Sequence, residues 1–355
     1  MIRIALLNSG GGWHLQRLRE AFIGRGAEAD AVPIARLVGS VGARATPPVG
    51  AQPSSLAGSP QVGASGAPHT DAAGIPLELT AAGQPLEKYD AIVVRVIPLG
   101  SLEQIVYRMD ALHLLDGAGV PIFNPPRAIE RTVDKFWTSA LLDGAGIPTP
   151  RTAAAESFED ALAAFHALGG DVVVKPLFGS GGRGIFRLTD EEMAYRAFRT
   201  IELHRWVYYL QRFVDHGTED MRVFVIGSRA IAACRRIGVD WRSNVGRGAT
   251  TRSCALSPAQ EELALRACRA VGAEYAGVDL AEGRDGRTWV LEVNSIPGWS
   301  GLQEATSIDI ASEIAAHVLA RCSEAGRAAA RVRSPVRGPA HTSDSGPART
   351  RCPPC

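Results

Sequence analysis

The chain has 355 residues, 46% hydrophobic and 21% charged, which is ample apolar material for two or three compact domains. Lys plus Arg and Asp plus Glu number 38 and 37 and nearly cancel, so no global field selects nucleic acid or an anionic membrane surface. The opening Met-Ile-Arg-Ile-Ala-Leu-Leu-Asn is too short for a signal peptide and no run approaches the roughly 20 apolar residues of a membrane span, so a cytoplasmic location is expected.

Ile2 to Asn8 reads as a buried strand, followed by the turn Gly10-Gly11-Gly12 and a helix from His14 to Gly24, an α/β opening. From about Gly39 to Gly74 the chain is mostly Ala, Gly, Pro and Ser, too poor in large apolar groups to offset ordering entropy, and it reads as a disordered insertion. A strand at Ala91 to Val96, a helix around Leu102 to Leu115 and a strand near Ile122 complete a first domain, 1–124.

A second unit, 125–204, begins with one helix from Ala128 to Leu142 and another starting at Ser157, where Asp160 completes a start resembling a capping box. Strands at Asp171 to Lys175 and Ile185 to Leu188 flank a glycine loop, and a polar helix runs from Asp190 to Glu202. A third unit, 205–324, has strands at Trp206 to Val214, Arg222 to Ile226 and Ala230 to Ile237, with Gly227-Ser228 as a hairpin turn. Ser257, Pro258 and Gln260 mark a capped helix start. Strands at Gly277 to Ala281 and Trp289 to Asn294 then join through Asp285-Gly286, and the last helix spans Ile308 to Arg321. The tail, 325–355, is rich in Arg, Pro, Ser and Ala and reads as disordered. Six cysteines in a chain of this length make no disulfide framework, and the terminal Cys352 and Cys355 pair lacks a second pair to complete a zinc site.

Three features carry chemistry. Asp279, Glu292 and Asn294 lie on two strands joined by a turn; alternation puts Glu292 and Asn294 on one face while Leu291 and Val293 point to the core. Two carboxylates and an amide oxygen are the hard donors that Mg²⁺ takes, although a solvated outer strand face has the same pattern. Lys175 ends the apolar run Val172-Val173-Val174 and is followed by Pro176 and the loop Gly179-Ser180-Gly181-Gly182-Arg183-Gly184. Glycines let backbone N–H groups close on phosphate oxygens and the lysine adds a point charge, but the spacing is neither a P-loop nor a Rossmann turn, and a plain surface hairpin competes. Arg222, Arg235, Arg236, Arg242 and Arg247 supply forks for carboxylates or phosphates, with about half expected to face the site. Lys135 alone reads as a solvated helix charge, and Tyr209 to Val214 as a strand whose exposed backbone edge could pair with an adenine.

In order, Asp134-Lys135, Val174-Lys175-Pro176 with its glycine loop, Gln211-Arg212-Phe213-Val214, Arg242-Ser243-Asn244, Gly277-Val278-Asp279 and Leu291-Glu292-Val293-Asn294 resemble the ATP-grasp superfamily, specifically its RimK-like glutamate ligases. The resemblance runs from Asn124 to Ala320. It implies an α/β and α+β fold in which an N-terminal pre-ATP-grasp domain precedes two subdomains clamping ATP. It further implies that Lys135 and Lys175 contact ATP phosphates and act in catalysis, with Gly179, Ser180, Gly181, Gly182 and Gly184 closing over them. Arg212 and Phe213 fall at the adenine hinge, where the family commonly has Glu in place of Arg212; Asp220 falls near the ribose, and Arg242, Ser243 and Asn244 on the nucleotide side. Asp279, Glu292 and Asn294 match ligands for Mg²⁺, two ions being expected and Mn²⁺ able to substitute. Arg235 and Arg247 are assigned to substrate carboxylates.

Lys175-Pro176-Leu177-Phe178-Gly179, Arg236-Ile237-Gly238, Glu292 to Trp299 and Asn124-Pro125-Pro126 resemble the tetrahydromethanopterin:α-L-glutamate ligase branch. The expected partners are therefore ATP, L-glutamate and an acceptor carboxylate, on a pterin cofactor or on the C-terminus of a small-subunit ribosomal protein, with neither nucleic acid nor membrane and with a homo-oligomer allowed. Two other classes compete. An NAD enzyme using Gly10-Gly11-Gly12 would need a third glycine where Leu15 stands, and a non-catalytic ATP-binding regulator has no use for an intact lysine pair and metal hairpin.

Overall fold

A computed structural model of the chain describes residues 1–41, 77–179, 181–243, 246 and 248–333. Most of the expected insertion, the end of the tail with Cys352 and Cys355, and the site candidates Ser180, Asn244 and Arg247 lie outside the described residues.

Strand β1 (Arg3–Asn8), helix α1 (Trp13–Gly24) and β2 (Glu28–Pro33) form a parallel unit, followed by β3 (Leu37–Val41), β4 (Leu77–Ala81), β5 (Gln84–Pro85), β6 (Ala91–Val94), α2 (Leu102–Gly117) and β7 (Ile122–Phe123). The first sheet has the order β2-β1-β6-β7 and is all parallel. Parallel strands covered on both faces need apolar residues at every position. In β1, Ile4 and Leu6 pack with Leu18 and Phe22 of α1, while Ala5 and Leu7 pack with Met109, Leu112 and Leu115 of α2. Residues 39–41, expected in the disordered insertion, pair in β3 with β4. Neither strand is evident in the sequence, because β2 is mostly small or charged and β3 is short and interrupted by Gly39-Ser40.

The helix expected from Ala128 to Leu142 is two helices, α3 (Pro126–Val133) and α4 (Lys135–Gly144). Asp134 breaks them at φ −84°, ψ 105°, and its carboxylate accepts from Phe136 N at 2.8 Å and Trp137 N at 3.0 Å. This is an N-cap, and it makes Lys135 the first residue of the new helix. Strand β8 (Thr152–Ala155), α5 (Phe158–Ala167), β9 (Val172–Lys175), β10 (Phe186–Leu188), α6 (Glu191–Leu203) and β11 (Tyr208–Arg212) follow. The second sheet has the order β10-β9-β11-β8. Strand β11, placed with the third unit from sequence, belongs to this sheet and is paired on both sides, so Tyr208–Arg212 presents no open edge.

Strands β12 (Glu219–Ile226), β13 (Arg229–Ile237) and β14 (Thr250–Ser253), helix α7 (Pro258–Val271), β15 (Tyr275–Glu282), β16 (Thr288–Asn294), α8 (Ser300–Glu304) and α9 (Ile310–Arg333) complete the chain. The third sheet, β14-β13-β12-β15-β16, is antiparallel. Helix α7 has the expected Ser257–Gln260 capping box and ends on Gly272 in the left-handed region. Helix α9 runs past the expected end at Arg321, so residues 325–333 of the expected tail are helical. One core joins the first and third sheets: Ile4, Leu6, Phe22, Phe224, Tyr275, Trp299, Ile314 and Val318 form a single cluster. The second sheet has a separate core, built from Phe165, Val172, Phe198 and Leu210. Among the described residues no helix is long and apolar enough to cross a membrane.

Candidate active site

The third sheet brings the acidic candidates together by register. Asp279 on β15 faces Glu292 on β16, and Gly277 faces Asn294, so all three polar side chains share one face. A β-bulge follows, because Leu280 pairs with Val290 and leaves Leu291 as the extra residue. Leu291 is therefore half-buried and not in the core, contrary to simple alternation; Val290 and Val293 fill the core instead.

Asp279 is 5% exposed and held from two sides. Arg222 Nη1 donates to its Oδ1 at 2.7 Å, and Arg236 Nη2 lies 3.0 Å from its Oδ2. Arg236 also grips Asp220 with two hydrogen bonds of 2.6 Å. Burial works against the Arg236 charge, but Asp279 and Asp220 more than offset it and its pKa is raised. Asp220, expected near the ribose, is instead buried with both oxygens on Arg236, where it positions a guanidinium that positions Asp279. With its amide oriented to satisfy its neighbours, Asn294 accepts from Arg222 at 3.0 Å and donates to Glu292 at 3.1 Å.

Both lysines reach this acidic face. Lys135 is 7% exposed and donates from Nζ to Gly179 O at 2.8 Å, tying α4 to the glycine loop. Its pKa is lowered by burial, with the carboxylates of Glu292 and Asp134 opposing. Lys175 donates to Gln211 Oε1 at 2.6 Å. Burial brings its pKa down to about 8, Glu292 working in the other direction. Tyr209 shares a 2.9 Å hydrogen bond with Ser139 and fixes β11 to α4. Gly179, Gly181, Gly182 and Gly184 all have positive φ, and a Cβ on Gly184 would come within 2.9 Å of Pro176, so the loop folds back tightly on the residue after Lys175.

The remaining candidates divide. Arg212 is exposed, with its backbone N–H donating to Arg151 O at 2.8 Å. Phe213 is half-buried, with the Arg187 guanidinium carbon 3.5 Å from its ring centre and Trp241 edge-on at 5.7 Å. Ser243 is buried and Arg242 pairs with Asp240. The loop carrying them is tight, since a Cβ on Gly238 would meet Arg242 O at 2.6 Å. Arg235, assigned to substrate carboxylates, pairs in register with Met221 on the opposite, apolar face and is 3.6 Å from Glu219. Plain alternation across the Gly227-Ser228 hairpin would pair Asp220 with Arg235, but a bulge between Phe224 and Val225 shifts the register by one residue and turns Arg236 inward instead.

The donor chemistry fits a hard divalent cation: two carboxylates and an amide oxygen on one face, opposite two lysines. A magnesium site needs only one or two carboxylates when phosphates supply the rest. Among the described residues no group of three His, Cys, Asp or Glu side chains is placed to hold a metal ion.

A glycine loop and Lys175 on the second sheet, with Lys135 at the start of α4 and a carboxylate hairpin on the third sheet, define an ATP-grasp ligase. The fold agrees: the ATP-grasp ligase PsnB, solved with a minimal precursor, Mg and ADP, superposes with a TM-score of 0.64 at 22% identity, covering 90% of this chain and 98% of that one. The chain belongs to the family described as the RimK-like ATP-grasp domain, whose model matches residues 132–318. Among relatives, a tetrahydromethanopterin:alpha-L-glutamate ligase of Methanosarcina acetivorans is 33% identical over 269 residues, 67% of this chain and 83% of that protein. One of Methanocaldococcus jannaschii is 35% identical over 236 residues, 64% of this chain and 79% of that protein. A probable alpha-L-glutamate ligase of Legionella pneumophila is 33% identical over 242 residues, 66% of this chain and 78% of that protein.

Proposed function

We propose that this ligase joins the amine of L-glutamate to an acceptor carboxylate through an acylphosphate, with a tetrahydromethanopterin-type cofactor as acceptor. The observation that carries the reading is that Lys135 and Lys175 both lie within electrostatic reach of Glu292, which faces Asp279 across the β15–β16 pair, together with relatives named for this ligation.

In this reading the acceptor carboxylate attacks the γ-phosphorus of ATP, releasing ADP; the glutamate amine then attacks the acyl carbon, loses a proton and displaces phosphate. Lys135, Lys175 and the Gly179–Gly184 loop neutralise charge on the transferring phosphoryl group, so the protein contributes positioning and electrostatics and needs no nucleophile of its own. Asp279, Glu292 and Asn294 would hold Mg²⁺, which supplies charge stabilisation to the phosphates. Arg222 and Arg236 hold Asp279 from two sides and fix its direction. Closure of the glycine loop excludes water that would hydrolyse the acylphosphate.

The test is ADP release with ATP, Mg²⁺ and glutamate, comparing tetrahydromethanopterin with a ribosomal protein C-terminal peptide and recording product masses. A glutamyl increment on the pterin is expected. An increment only on the peptide would replace the acceptor, and release that does not depend on glutamate would remove glutamate as the donor.

A further inference from the structure

Where the first sheet meets the third, a cation is buried without a counter-ion. Arg95, just beyond β6, is half-buried, with the Nε and Nη1 atoms of its guanidinium enclosed. Its Nη2 donates to Pro297 O at 3.0 Å, and its central carbon lies 4.7 Å from the centre of the Trp299 ring. Its Nε and Nη1, the Tyr275 hydroxyl and the Trp299 indole N–H are enclosed and none makes a well-formed hydrogen bond, although the Tyr275 hydroxyl lies beside the guanidinium and interacts with it. Among the described residues no carboxylate pairs with Arg95. Enclosed donors are rarely left unmade, and a buried unpaired charge is strongly destabilising, so a set of orphaned donors around one guanidinium describes a receptor for an anion.

A second feature points to the same place. Helix α1 begins at Trp13 with Gly12 as its N-cap, without a side-chain cap and without an acidic residue in its first turn. A Cβ added at Gly10, Gly11 or Gly12 would meet nothing within 4 Å, so there is open space beside the positive end of the helix. His14, in that first turn, accepts from Trp299 N at 3.0 Å and stands edge-on to the Trp299 ring at 4.5 Å, linking the helix start to the Arg95 pocket. Burial and the Arg95 charge bring its pKa down to about 4, so it is a neutral acceptor that orients the tryptophan and does not supply the anion's charge partner.

We propose that Arg95, with the Tyr275 hydroxyl, the Trp299 indole N–H and the uncapped start of α1, forms a subsite that holds a carboxylate of a substrate not consumed in the reaction. Tyr275 and Asp279 are on the same face of β15, which puts the subsite about 13 Å along the sheet from the acidic face at the usual strand rise. An amino acid and an activated carboxyl group fit end to end across that span. The inference rests on the ligase reading and adds where the substrate is gripped. The carboxylate comes from glutamate or from the acceptor.

Steady-state ADP release is measured for wild type, Arg95→Met and Tyr275→Phe, varying glutamate and tetrahydromethanopterin in turn. Arg95→Met is expected to raise the KM of one of them about 10- to 100-fold, the loss of charge-assisted hydrogen bonds, and Tyr275→Phe by a smaller factor, with the KM for ATP unchanged. A rise for glutamate assigns the carboxylate to the amine donor, and a rise for the pterin assigns it to the acceptor. Wild-type KM values for both substrates in an active Arg95→Met enzyme overturn the subsite. Thermal unfolding separates a structural role, since removing an unpaired buried charge leaves the ligand-free Tm unchanged or higher; a lowered Tm with unchanged KM also overturns it. If the wild type shows no glutamate-dependent turnover with the pterin, the proposed glutamate–pterin reaction fails by itself. The subsite is then read by titrating tryptophan fluorescence with glutarate, where a saturable response lost in Arg95→Met supports it and any other result overturns it.

Discussion

The two faces of the third sheet are built from the same strands and have opposite tasks. One buries Met221, Val223, Val278, Leu280, Val290 and Val293 against α4 and α7. The other sets Asp220, Arg222, Arg236, Asp279, Glu292 and Asn294 into one connected network. A period of two is enough to separate a stabilising face from a chemical one, and the bulge at Leu291 keeps both in phase across the hairpin. The difference teaches that folding and activity can be damaged independently here, by changing residues adjacent in sequence.

Substitutions test that independence. Glu292→Ala is expected to lower glutamate-dependent ADP release by about a thousandfold or more, the scale of losing a main electrostatic element, with the thermal midpoint held; wild-type turnover would sink the metal assignment. Leu280→Ala, on the apolar face, should cost about 2–5 kcal/mol in urea unfolding while kcat per folded molecule is preserved. A matching loss of kcat would mean the faces are coupled. The lysines respond to pH. With its folded pKa near 8, Lys175 is charged below that value and loses its proton as pH rises through it, so kcat/KM for ATP should fall about tenfold per unit above pH 8. A flat profile to pH 10 would remove Lys175 from phosphate binding. Because the folded pKa lies below the ordinary lysine value, burying this charge costs stability below pH 8, and that cost is relieved as pH rises from 8 toward 10.5. The smallest effect is expected for Arg235→Ala, a half-exposed residue on the wrong face: about 0.5 kcal/mol or less in stability and unchanged KM values. A large rise in the KM for glutamate would restore its original assignment.

Much of this was legible in the sequence where the signal is local. Alternation placed Glu292 and Asn294 together, Ser257 and Gln260 marked a helix start, and the apolar run before Lys175 located a strand. Other features were not local. Asp134 reads as one more helical residue until its carboxylate is seen to cap α4, and Leu291 reads as core until a bulge intervenes. Strand β8 is Thr-Ala-Ala-Ala, a weak strand former that exists because β11 pairs with it. Arg95, Tyr275 and Trp299 stand far apart in the chain, and no spacing rule brings them into one pocket. Gln211 reads in the sequence only as part of a motif, since its partnership with Lys175 depends on β9 and β11 being neighbours.

Asn124 shows how the parts are coupled. Its Nδ2 donates to Tyr275 O at 2.7 Å and Ser295 O at 2.6 Å, while its Oδ1 accepts from Glu274 N at 2.6 Å and Tyr275 N at 3.1 Å. One buried side chain thus rivets the end of the first sheet to two strands' worth of backbone in the third, alongside a core those sheets already share. Mechanically, the first and third sheets make a single anvil, and the second sheet, with its own core and the glycine loop, is the hammer. Any closing stroke over a nucleotide is then borne by the second sheet alone, and the anvil can keep a substrate aligned while the hammer moves.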